Sequence, residues 1–347
     1  MKLVLANNGS YPRSGETPEL QVLQRTVQAL GRHERTAADL ADAQKEMTRC
    51  AIAEQAQAGI EVLTDGMIRW PDPVSHVAGL FRGVNLGDPA PYFSTGATYR
   101  QPILISCPAR NPEVPSELVN EFQFARNALG RLPTARERAG KLSIKPVLMG
   151  PYTLARLSQS NDPAFAAVEA RARAFADALG GEVRALIDAG AVLIQVDEPA
   201  ITHFPGDYST LAAALRPLVE ARDQAHKAGR EARLALCVNL GDAEPLYEKL
   251  IQLPVDALLL DFAASARLAD RVASEGSPVA LGLGVVDGRN AELEDAATVA
   301  RQVERMLARL NGAQTFLGPS CGLETLPRDR AYAKLELLGK VRAGLGA

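Results

Sequence analysis

Short apolar runs rich in Val, Ile and Leu recur along the whole chain, separated by longer stretches whose apolar positions follow helical spacing. Continuous apolar runs of this kind belong to parallel strands covered by helices on their faces. Eight occur, at residues 3–6, 61–64, 145–149, 192–196, 233–238, 257–260, 279–286 and 315–317. Eight parallel strands alternating with helices close a (β/α)8 TIM barrel, which is the α/β fold that the pattern predicts. Ala58-Gly59, Ala189-Gly190 and Ala228-Gly229 each close a helical segment just before a run. Glycine at that place ends a helix in the left-handed conformation without steric cost. Ahead of Gly59, Leu40, Ala43, Met47, Cys50 and Ala51 fall on one helical face, which predicts a packing role for Cys50.

The alternation is interrupted once, over about residues 66–143. Its middle, FRGVNLGDPAPYFSTGATYRQPILIS, has β-type runs around Gly and Pro and predicts a hairpin excursion inserted after strand two. A barrel needs about 250 residues, so a chain of 347 residues accommodates one barrel plus this insertion. No low-complexity linker divides the sequence, and residues 1–347 are expected to form one barrel domain.

Composition changes this picture little. Hydrophobic residues at 47% and charged residues at 23% are ordinary for a globular chain and give no argument for disorder. A net charge of -3, with no dense Lys/Arg run, excludes the electrostatic footprint of a nucleic-acid binder. The N-terminal apolar segment is too short for a signal peptide, and no apolar stretch is long enough for a membrane span, so a cytoplasmic location without membrane contact is expected. Four scattered cysteines (Cys50, Cys107, Cys237 and Cys321) argue against a disulfide framework and leave metal binding, nucleophilic chemistry or burial. For Cys107, beside the predicted hairpin, no function is expected.

Barrel enzymes draw their active sites from the C-terminal ends of the strands, and there this chain is rich in polar groups. The runs end in Asn7-Asn8-Gly9-Ser10-Tyr11-Pro12, Asp65-Gly66-Met67, Asp197-Glu198-Pro199, Cys237 and Asn239, Asp261, Asp287 and Arg289, and Pro319-Ser320-Cys321-Gly322. Cys237, Asp261 and Cys321 form a sulfur-rich donor set suited to zinc, with simple burial of the cysteines as the competing reading. Successive strand residues point to opposite faces, so only one of Asp197 and Glu198 faces the barrel centre without a local twist. Asp65 and Asp287 read equally as site carboxylates or as caps of the segments that follow them.

These residues also carry a resemblance. GSYP, TDG, LMGPYTL, QVDEPA, the cysteine in LALCVNL, GVVD and GPSCGLETLP occur in order along nearly the whole chain, and QVDEPA and GPSCGL are the specific pieces. The sequence resembles the catalytic half of cobalamin-independent methionine synthase, in its short core form without an additional N-terminal barrel. The resemblance implies zinc as cofactor, homocysteine as the substrate whose thiol is methylated, and a methylated corrinoid, a corrinoid protein or methyltetrahydrofolate as donor. It makes Cys237, Asp261 and Cys321 the zinc ligands, Ser10, Asp197 and Glu198 the substrate-binding residues, and Asp197 and Asp287 the catalytic carboxylates. Four positions depart from the family. Ala235 replaces a histidine ligand, Asp261 a glutamate ligand and Met67 a glutamate that meets the substrate amine, while Arg289 stands at or beside a histidine. His203 is a remote substitute for the missing imidazole. Another thiol or methyl donor, or a metal-free non-catalytic relative, are the alternatives these departures leave open.

Overall fold

The computed structural model describes residues 3–111, 114–138, 140–265, 267–310 and 314–346. Its strands are β1 (Leu3–Leu5), β2 (Val62–Leu63), β3 (Arg82–Pro91), β4 (Thr98–Ala109), β5 (Ser143–Ile144), β6 (Val147–Met149), β7 (Gln159–Ser160), β8 (Leu193–Asp197), β9 (Arg233–Val238), β10 (Ala257–Asp261), β11 (Ala280–Val286) and β12 (Thr315–Pro319). Every one of the eight predicted runs overlaps a strand. The main sheet has the order β1-β12-β11-β10-β9-β8-β6, while β2 pairs in parallel with β5. These are the parallel strands of a (β/α)8 barrel, as the pattern predicted.

The third run departs from expectation in one detail. It holds only β6, which serves β8, while a separate short strand, β5, lies just before it across Lys145-Pro146 and serves β2. Proline has no N–H to give a ladder, so the break falls where the sequence places it.

The chain divides into two compact units. The first comprises Met1–Arg69, Gln123–Ile144 and Asp261–Ala347. In it β1 and β11 both pair with β12, and Ala6 bridges to Val62 beside β2. The helix Ala37–Gln57 begins at a Thr36–Asp39 capping box and ends at Gly59, whose φ of 93° is the left-handed conformation expected there. Met47 and Ala51 on this helix are buried, whereas Cys50, expected to pack with them, lies at the rim of that face and is half-buried.

The second unit comprises Trp70–Phe122 and Lys145–Leu260. It holds the predicted excursion as an antiparallel β3–β4 hairpin, to which β7 adds a short third strand. Cys107 lies in β4 and is exposed. Trp70 joins the segments on either side of the hairpin: its indole N–H donates to Glu121 at 3.0 Å and its ring stacks on His76. In the same unit, β6, β8, β9 and β10 are neighbours in parallel. The helices Val168–Asp188 and Tyr208–Lys227 end at Gly190 and Gly229, both at positive φ. Among the described residues, no helix is long and apolar enough to cross a membrane.

Candidate active site

Two groups of polar side chains stand at strand ends, one in each unit. In the second unit the register of β8 on β9 sets Gln195 opposite Ala235 and Asp197 opposite Cys237. Registered residues two apart share a face, and the side chains confirm this: Gln195 Nε2 donates to Asp197 Oδ1 at 2.7 Å. Lys145, from the break between β5 and β6, donates to Gln195 Oε1 and lies near enough to Cys237 and Asp197 to feel their charges. Burial pushes the Lys145 ammonium down to about 8, with the two acidic neighbours opposing the shift. A lysine inside an apolar run was the sequence signal for this group.

Glu198 takes the other direction, as the alternation of strand side chains requires. Its carboxylate accepts from the backbone N–H groups of Tyr152 at 2.9 Å and Thr153 at 2.6 Å, at the start of the helix Pro151–Leu157. A side chain on Gly150 would collide with it, because a Cβ there would lie 2.2 Å from Glu198 Oε1. Glycine before Pro151 is thus what admits the carboxylate to the helix terminus. Burial raises the Glu198 carboxyl to about 7, and the hydrogen bonds from Tyr152 and Thr153 restrain the rise. Expected on the substrate, Glu198 instead has both oxygens engaged by backbone. His203 is exposed, stacks on Phe93 with ring centroids 4.3 Å apart, and has Nε2 3.1 Å from the Leu240 carbonyl.

In the first unit the central group is Asp261, which has no exposed surface. Arg289 meets it with two nitrogens, Nη1 to Oδ2 at 3.1 Å and Nη2 to Oδ1 at 3.4 Å, and the N–H groups of Ala263 and Ala264 donate to Oδ1. Asp287 holds the same arginine from the other side, accepting from its Nε at 2.9 Å and its backbone N–H at 3.0 Å. The Asp287 N–H in turn donates to Glu294, which pairs with the buried Lys334. Asp287 is therefore neither a helix cap nor a bare carboxylate; it positions Arg289. Asp65 resolves as a loop brace, accepting from the Met67 N–H.

Cys321 is 3% exposed and lies beside this cluster. Burial and the charge of Asp261 push its thiol up to about 12, and Arg289 pulls the other way. Gly288 lets the arginine loop approach it: a Cβ at that position would lie 2.9 Å from Cys321 Sγ. Ser10 donates to Glu324 across Gly322, a contact between groups 314 residues apart. Met67 is buried, with a positive φ of 50°, and its Sδ would meet a Cβ on Gly9 at 3.3 Å.

The family description "Cobalamin-independent synthase, Catalytic domain" matches residues 3–343. The chain belongs to this family. Membership makes it a methyltransferase, in agreement with its relatives. A methionine synthase of Methanothermobacter marburgensis is 28% identical over 336 residues, 96% of each chain, and one of Saccharolobus solfataricus is 28% identical over 94% of this chain and 90% of its own. Among solved structures, a B12-independent methionine synthase of Shewanella in complex with selenomethionine superimposes with a TM-score of 0.76 at 19% identity, covering 99% of this chain and 97% of that one. A B12-independent methionine synthase from Listeria monocytogenes, described there as putative, gives 0.74 at 17% identity. Both share the fold.

Zinc is the cofactor that the family resemblance implies, and the donors present do not fit it. No three His, Cys, Asp or Glu side chains stand close enough to share a metal ion among the described residues. Both Asp261 oxygens already meet Arg289. Ala235, where the family has histidine, is buried and offers no donor.

Proposed function

We propose that this methyltransferase acts on the thiol of homocysteine, forming methionine, with a methylated corrinoid or methyltetrahydrofolate as donor. Family membership sets the reaction class, and Asp197 carries the assignment of the acceptor. It ends β8 in register with Cys237, and Gln195 and Lys145 fix its orientation before any substrate arrives. A carboxylate so oriented is prepared to receive the α-ammonium of an amino acid, a charge-assisted contact of the stronger kind. Ser10 meets the substrate carboxylate after its hydroxyl turns away from Glu324. Glu198 acts through the helix it anchors, and Asp287 acts through Arg289; both are positioning residues.

In the reaction the thiol first gives its proton to solvent water, because the thiolate is the nucleophile. Sulfur then bonds to the methyl carbon as the donor's bond to that carbon breaks, and the donor keeps the electron pair. No step is assigned to a metal. A second reading, methylation of a different thiol, draws on Met67: with a thioether in place of the family glutamate, one expected anchor for the substrate amine is lost.

Calorimetric titration with homocysteine tests the assignment of Asp197. Asp197→Asn should weaken binding by about 1.5–3 kcal/mol, the worth of a desolvated hydrogen bond to a charged group. Unchanged affinity in that variant would remove Asp197 from the substrate site.

A further inference from the structure

We infer that Arg289 is a built-in cation that replaces the metal ion in this chain, pairing with Asp261 beside Cys321 and keeping zinc out. Three observations converge on it. The guanidinium faces the wholly buried Asp261 with two nitrogens, in the fork geometry that arginine offers and lysine does not. It is held there by Asp287, which accepts from both its side chain and its backbone N–H, so the arrangement is braced from two sides. Finally, Gly288 allows the loop to close on Cys321, because any larger residue would bring its Cβ to 2.9 Å from the sulfur.

A metal ion would have to share this ground with a permanent positive charge. Arginine does not deprotonate in proteins, so the competitor cannot be titrated away as a lysine or histidine could. Zinc sites draw on four ligands, or on three with an open position, and here the carboxylate is already engaged. Cys237, the sulfur ligand that the resemblance assigns in the second unit, likewise has a protein cation near it, the buried Lys145. The inference concerns metal content and stands apart from the identity of the methyl acceptor.

The test is a zinc titration of the intact chain after dialysis against chelator, in competition with a chromophoric zinc indicator. The wild-type chain should fail to withdraw zinc from the indicator. Arg289→Ala should raise zinc affinity roughly 10- to 100-fold, the range over which groups surrounding metal ligands act. One equivalent withdrawn by the wild type overturns the proposal, and this arm needs no variant to fold. So does an Arg289→Ala variant with a native circular dichroism spectrum and unchanged zinc affinity.

Discussion

Glu198 and Asp261 are carboxylates at the ends of parallel strands, and neither has exposed surface. Their partners differ in kind. Glu198 receives the backbone N–H groups of Tyr152 and Thr153, so burial dominates and its carboxyl rises to about 7. Asp261 receives a guanidinium as well as two backbone N–H groups. The first carboxylate holds a helix in place; the second holds a charge in place. Burial alone does not decide what an acidic residue does at a barrel rim, because the partner that meets it decides.

The largest effect expected from this contrast is on stability. Glu198→Ala strands two buried N–H groups and should cost about 2–6 kcal/mol, taking the usual penalty for each unsatisfied donor. Asp261→Asn keeps an acceptor for Ala263 and Ala264 and leaves Arg289 its contact with Asp287, so about 1–2 kcal/mol is expected. Urea unfolding of the two variants would measure both, and equal losses would break the comparison.

A smaller effect sharpens it. The folded chain retains the Glu198 proton in a range, from 4.5 to about 7, where the unfolded chain has released it. More protons bound in the folded state means stability that falls as pH rises through that window. Unfolding free energies of the wild type and Glu198→Gln, compared at several pH values, should show the wild-type advantage shrinking from pH 4.5 to 7. A constant difference would mean that Glu198 is ionised throughout.

Much of this arrangement was legible in the sequence where the information was local. Apolar runs marked the eight strands, Ala-Gly pairs marked three helix ends, and Gly and Pro around β-type residues marked the hairpin. Strand alternation correctly separated Asp197 from Glu198. The pairing of groups distant in sequence was not legible. Arg289 reaches Asp261 over 28 residues and Glu198 reaches Tyr152 over 46, and neither distance leaves a periodic trace. The lysine at the break between β5 and β6 was visible only as a charge in an apolar run, with nothing local to name Gln195 as its partner. For the same reason the sequence could list cysteines and carboxylates as zinc donors without registering that an arginine already meets one of them.

The central claim is methyl transfer to homocysteine, and product formation tests it most directly. Purified chain incubated with homocysteine should form methionine with methylcobalamin or with methyltetrahydrofolate, and Asp197→Asn should lower the rate at limiting homocysteine. Absence of methionine with both donors, from a chain that gives a native unfolding transition, would contradict the assignment of homocysteine as the acceptor.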